Sequence, residues 1–189
     1  LGSSETTESI AINVVDNYVG DNPNIAIGIW ARGDNNKNGG QVNVKGDYLQ
    51  ITGHSVSGGI YGIYAQNATS EAHDNLAEIN IDTENTYVNV TTGDNALGEG
   101  SAIVAMSQGV ININSNLEVY GDNAIIARGG AVVKINENGT KTTQLNGDIN
   151  FNYNGPTSGT KVDADVTVNL TGADSYWNGN STVTWDYVA

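Results

Sequence analysis

The 189-residue chain sets 7 Lys and Arg against 21 Asp and Glu, a formal charge of −14, and holds 24 Gly and no Cys. That balance repels nucleic acid and anionic lipid, and the missing cysteines exclude a small disulfide scaffold. No apolar run approaches ~18 residues, so nothing here inserts into a membrane as a helix.

Asn, Gly, Thr, Val and Ile dominate, which is a vocabulary of strands and turns. The first strand signal is Ile10-Ala11-Ile12-Asn13-Val14, alternating with period two. A turn with Gly20 and Pro23 follows, then an Ile-x-Ala strand over 27–31, then a polar loop over 34–40. Gln41-Val42-Asn43-Val44 and Tyr48-Leu49-Gln50-Ile51 read as two further strands.

The same three-part unit then returns. Tyr61–Ala65 is followed by a loop, by Glu78-Ile79-Asn80-Ile81 and by Tyr87-Val88-Asn89-Val90. The third copy is Ala102–Ala105, Val110-Ile111-Asn112-Ile113 and Leu117-Glu118-Val119-Tyr120. The fourth is Ile125–Ala127, Val132-Val133-Lys134-Ile135 and a weaker Gln144-Leu145-Asn146. Asp148-Ile149-Asn150-Phe151, a loop over 154–159 and Val166-Thr167-Val168-Asn169-Leu170 close the pattern.

Two columns of residues carry the repeat. Ile29, Ile63, Ile103 and Ile125 each stand two residues before an Ala. Asn43, Asn80, Asn112 and Lys134 each lie between aliphatic residues, at steps of 37, 32 and 22 residues. The shortest step is about what three short strands and their turns need, and the longer ones are the same unit with loops inserted. The expected fold is all-β: a right-handed parallel β-helix of three-strand coils, one domain over 1–189, with a capping-type coil near 163–189. An antiparallel sandwich is the rival, but it does not require one three-strand order to recur. A single coil buries too few aliphatic side chains to offset the entropy of ordering it, so the coils must stack.

Alternation assigns the faces. Ile29 and Ala31 point one way, with Ile63, Ala65, Ile103, Ala105, Ile125 and Ala127. The opposite row is Trp30, Tyr64, Val104 and Ile126, and beside it run Arg32, Gln66, Met106 and Arg128. These eight residues are the candidate contact face for another molecule or a second copy of the chain. The competing readings are that loops 34–40 or 66–77 cover the row, or that its members are simply core.

Catalytic and cofactor chemistry is not legible. His54 and His73 are expected in loops, with no metal-ligand spacing around them. Gly53-His54-Ser55-Val56-Ser57 lacks the final Gly and the strand-to-helix context of a nucleophile elbow. Gly98-Glu99-Gly100 lacks the third Gly of a dinucleotide turn. Asp163 and Asp165 read as a turn-flanking acidic pair. The chain is therefore expected to be no enzyme and to need no cofactor or metal, although its Asp-rich turns leave weak Ca²⁺ binding open.

The stretch Val168-Asn169-Leu170-Thr171-Gly172-Ala173-Asp174-Ser175-Tyr176-Trp177-Asn178-Gly179 resembles a coil of bacterial autotransporter passenger domains, the pertactin-like and self-associating adhesin class. There an aliphatic residue precedes Ser-x-Trp-x-Gly, the Trp caps a coil and the Gly makes the turn after it. Trp177 and Gly179 match that pattern and carry structural roles by it. The resemblance implies a mature segment of a longer protein, displayed at the bacterial cell surface and exported through an outer-membrane translocator outside this chain. It implies an adhesin whose partner is a host surface protein, a glycan or a neighbouring cell. A polysaccharide-active lyase or hydrolase and a passive stalk are the other roles such a fold serves.

Overall fold

A computed structural model describes residues 8–17, 24–34, 38–68, 75–94, 96–153 and 164–185. They form twelve strands and, among the described residues, no helix. In chain order these are β1 Ser9–Asp16, β2 Ile25–Arg32, β3 Gln41–Ser55, β4 Gly59–Gln66, β5 Glu78–Thr92 and β6 Gly100–Met106. The series continues with β7 Val110–Arg128, β8 Val132–Ile135, β9 Thr143–Tyr153, β10 Asp165–Val168, β11 Tyr176–Asn178 and β12 Ser181–Trp185.

Every pairing between these strands is parallel. They sort into three ladders. Ladder I runs from β1 through the second half of β3, the second half of β5, the middle of β7 and the start of β9 to β11. Ladder II runs β2, β4, β6, the end of β7, the end of β9 and β12. Ladder III joins the first halves of β3, β5 and β7 to β8 and β10. An antiparallel sandwich is incompatible with these pairings, and the arrangement is consistent with a β-helix-like solenoid.

The two sequence columns lie in register. Ile29 pairs with Ile63, Ile63 with Ile103 and Ile103 with Ile125. Ile149 adds a fifth member. Asn43, Asn80, Asn112 and Lys134 stand in the corresponding column of ladder III. Side-chain amides bridge that column, Asn80 to Asn43 at 3.1 Å and Asn112 to Asn80 at 2.9 Å. Inside the ladders lies one apolar core, where Leu49, Ile51, Ile63, Ile79, Ile103, Ile111, Ile125 and Leu145 are fully buried.

Segments read as separate strands, such as 41–44 and 48–51, are single strands that turn a corner. β7, with 19 residues, takes part in all three ladders. The corner between ladders III and I is lined inside by polar groups. Thr83 Oγ1 lies 2.7 Å from Thr86 Oγ1 and 2.9 Å from Ser115 Oγ. Asn136, in the left-handed region at φ 51, accepts from the Ser115 N–H and donates to the Ser115 carbonyl and to Thr143 Oγ1. Each buried polar side chain is thus satisfied where the backbone bends away from ladder pairing.

At the C-terminal end Trp177 stacks in register on Leu145 and donates its indole N–H to the Gly147 carbonyl at 3.0 Å. Gly179 lies so close to Gly147 that any side chain would collide with that carbonyl oxygen. Both residues thus meet the Gly147 backbone, Trp177 through its indole N–H and Gly179 through a close approach that only glycine allows.

Candidate contact face

The face is built by ladder II, and its first determinant is a second corner. Along β4, Ile60 belongs to the core, Tyr61 to the outside, Gly62 and Ile63 both to the inside, Tyr64 to the outside and Ala65 to the core again. Two consecutive residues face inward, so strict alternation slips by one. A methyl on Gly62 would lie 2.6 Å from Val88 Cγ1 and 2.7 Å from the Ala102 carbonyl oxygen, which is why this position stays small. The slip brings Tyr61 and Ile27 onto the same outer surface as Tyr64, where alternation from Ile63 and Ile29 expects them inside.

The eight expected residues fall into two rows in register. Trp30, Tyr64, Val104 and Ile126 form one, and Arg32, Gln66, Met106 and Arg128 the other. The structure brings them together but does not leave them all accessible. Tyr64, Val104 and Ile126 are buried and form a second, small hydrophobic cluster, flanked by Ile27, Tyr61 and Met106. Trp30 is 44% exposed and Arg32 is also exposed. Gln66, Met106 and Arg128 are half-buried. The accessible part is therefore the Trp30 end of the stripe, rising from a packed base.

The packing there is specific. The Trp30 and Tyr64 rings stack with centroids 6.0 Å apart and planes 10° from parallel. Tyr61 meets Tyr64 edge-on at 5.1 Å. The Arg32 guanidinium carbon lies 5.3 Å from the Trp30 ring centroid, within cation–π range. The Tyr64 hydroxyl donates to Gln66 Oε1 at 2.6 Å. Burial disfavours the phenolate, so the Tyr64 pKa is pushed up to about 12, and that of Tyr61 is raised for the same reason.

Electrostatics single out Arg128. Its Nε is buried without a hydrogen-bond partner. Beside it opens a hollow of about 360 Å³ bounded by Ile25, Tyr61, Leu97, Glu99 and Ile126. Among the described residues, the ion pairs Lys134–Glu137 and Lys141–Glu84 lie on other faces. With essentially no exposed surface, the Arg128 Nε is out of reach of an acceptor from outside the chain. Of the two loops expected as covers, residues 35–37 of 34–40 and 69–74 of 66–77 lie outside the described residues. The two ends of the first close on each other, with Asp34 N–H donating to Asn38 O at 2.9 Å and a bridge between Gly33 and Gly39.

Other sequence candidates separate. His54 is not in a loop but in β3, with Nδ1 3.0 Å from Thr91 Oγ1 on the next strand of ladder I. Its neighbour Ser55 is buried and turns to Asp16 and to the Gly58 N–H, so His54 and Ser55 form no catalytic pair. Glu99 accepts from Asn123 Nδ2 at 2.7 Å. Asp165 begins β10 against Val132, while His73, Asp163 and the loop of 154–159 lie outside the described residues. Among the described residues no group of three His, Asp or Glu is placed to hold a metal ion.

Comparison with known proteins finds no family model, no curated protein and no solved structure that matches the chain.

Proposed function

We propose that the chain is a right-handed parallel β-helix that serves as an adhesive rod at a bacterial surface. Right-handedness follows from the general rule for parallel crossovers, which take that hand in about 98% of cases. The adhesive reading is carried by one observation. Trp30 projects into solvent above Tyr64, with the exposed Arg32 beside it. Trp, Tyr and Arg on a rigid, well-packed base are the residues that concentrate binding energy at protein interfaces. The partner is a host surface protein or a sister cell bearing an acidic or carbonyl-rich patch. A rod that repeats a weak contact along its length, or across many copies on one cell, gains avidity without a single tight site.

The test displays the chain on non-adherent cells and compares aggregation and host-cell attachment for wild type, Trp30→Ser and Arg32→Ser. Loss of attachment in both variants, with unchanged circular dichroism and the chain folded at the assay temperature, is expected. Attachment equal to wild type in both overturns the reading. Cleavage of a pectin and host-glycan panel by the purified chain would replace it with the polysaccharide-active enzyme.

A further inference from the structure

Ladder I presents a different chemistry from ladder II. Three columns fixed by register occupy the middle of its outer surface, beside a fourth of Val15, His54 and Thr91. The first holds Tyr48, Asn85 and Asn116. In the second stand Gln50, Tyr87, Glu118, Gln144 and Tyr176. Thr52, Asn89, Tyr120, Asn146 and Asn178 make up the third. Tyr48, Tyr87 and Tyr120 thus step diagonally, one column across for each strand along the stack. None of these tyrosines is buried as Tyr64 is, and Tyr176 is 40% exposed.

The groups are already ordered. The Tyr87 and Tyr120 rings lie 6.0 Å apart with planes tilted by 52°, offering two adjoining aromatic faces. Asn89 Nδ2 donates to the Tyr87 hydroxyl at 3.0 Å and Asn146 Nδ2 to the Tyr176 hydroxyl at 3.2 Å. Each of those phenols accepts in that bond, which leaves its own proton to donate outward. The Tyr120 hydroxyl donates to Glu118 Oε1 at 2.7 Å, fixing the carboxylate with its second oxygen to accept. Between Tyr48, Tyr87, Asn116, Glu118 and Gln144 lies a hollow of about 370 Å³.

We propose that this face is a binding groove for an extended, uncharged oligosaccharide. A pyranose has two faces of C–H bonds and a rim of hydroxyls that both donate and accept. Aromatic rings receive the C–H faces, and amides and phenols match the rim because they too do both. Charge decides against an acidic saccharide: in the three columns Glu118 is the one ionisable residue besides the phenols, and no Lys or Arg stands among them. Shape decides for a flat, β-linked chain. The groove crosses a sheet surface over several successive strands, whereas an α-1,4-linked glucose chain coils away from such a surface. The inference stands apart from the adhesive reading, since it uses ladder I and none of the Trp30 row.

Isothermal titration of the whole chain with three hexasaccharides tests it: β-1,4-linked glucose, α-1,4-linked glucose and α-1,4-linked galacturonic acid. The β-linked glucose hexamer is expected to bind, more tightly than its dimer. Tyr87→Ala and Tyr120→Ala are each expected to weaken it about tenfold, with Tyr87→Phe within about threefold of wild type and Trp30→Ser unchanged. Should either alanine variant melt early, Tyr176→Ala and Gln144→Ala probe the same columns. No heat from the β-linked hexamer at millimolar concentration overturns the proposal. So does binding of the acidic hexamer alone, or binding that Trp30→Ser abolishes and Tyr87→Ala leaves intact.

Discussion

Ile103 and Val104 are neighbours in β6, both without exposed surface, and they belong to different interiors. Ile103 sits in a column of five isoleucines that repeats one side chain over five successive levels and ends at Ser181 of β12. Val104 sits in a row whose members change from Trp to Tyr to Val to Ile, open at one end and closed at the other. The inner column shows what stacking demands, a constant shape at constant spacing. The outer row shows what stacking permits, since among the described residues the side chains packed against it are its neighbours Ile27, Tyr61 and Met106.

The hardest break of that contrast is Ile103→Ala. It leaves a cavity with packed strands on either side, and a loss of about 2–5 kcal/mol in chemical denaturation is expected. Val104→Ala should cost clearly less, because its surroundings can settle from the solvent side. Equal losses at the two positions would mean that the outer cluster is as confined as the core. Gly62→Val attacks the corner that separates the two interiors. Its side chain meets the Ala102 carbonyl and Val88, so a loss of about 1–3 kcal/mol is expected, with Tyr61 displaced in near-ultraviolet circular dichroism.

Tyr64→Phe is milder. It removes the hydroxyl that donates to Gln66, and a loss of about 0.5–1.5 kcal/mol is expected near neutral pH. It also changes the alkaline limb of the stability profile. The folded chain holds the Tyr64 proton to about pH 12, whereas an unperturbed tyrosine releases it near 10.0. Stability is therefore full below about pH 10 and falls as pH climbs toward 12, and the Phe variant should fall less steeply over that window. Tyr120, raised to about 12 chiefly by its hydrogen bond to Glu118, contributes in the same direction and remains in the variant. Trp30→Ser is as mild. It removes the stack on Tyr64 and the contact with Arg32, so a loss of about 0.5–1.5 kcal/mol is expected in chemical denaturation, and lost attachment by a chain that stays folded reports contact rather than unfolding.

Much of the architecture was legible in the residues. Ile-x-Ala recurs because the inner column admits one shape, and period two is strong wherever one strand face is dry. Ile149 escaped because Asn150 and Phe151 follow it, not a residue and then Ala. The polar corner of Thr83, Ser115 and Asn136 escaped for a related reason. Ser, Thr and Asn look alike in a turn and in a buried seam, and only the shared partners distinguish them. The two outer rows were legible in membership and not in exposure. Alternation says which side a residue takes, not how far its neighbours reach, and the slip at Gly62 that adds Tyr61 to the cover leaves no mark in the pattern. His54 was misplaced because Gly, His and Ser together mimic a turn, although its strand partner Thr91 lies 37 residues away.

The spacing between in-register residues has one more consequence. Asn112 and Lys134 are adjacent rungs, as are Asn43 and Asn80, yet the first pair is separated by 22 residues and the second by 37. Height along the stack is set by the rungs, while circumference is unregulated. Doubling a surface loop adds only about 0.6 kcal/mol of closure entropy. Insertions at the rim are therefore nearly silent in folding, and grafting a foreign epitope between two rungs should leave every other level in place.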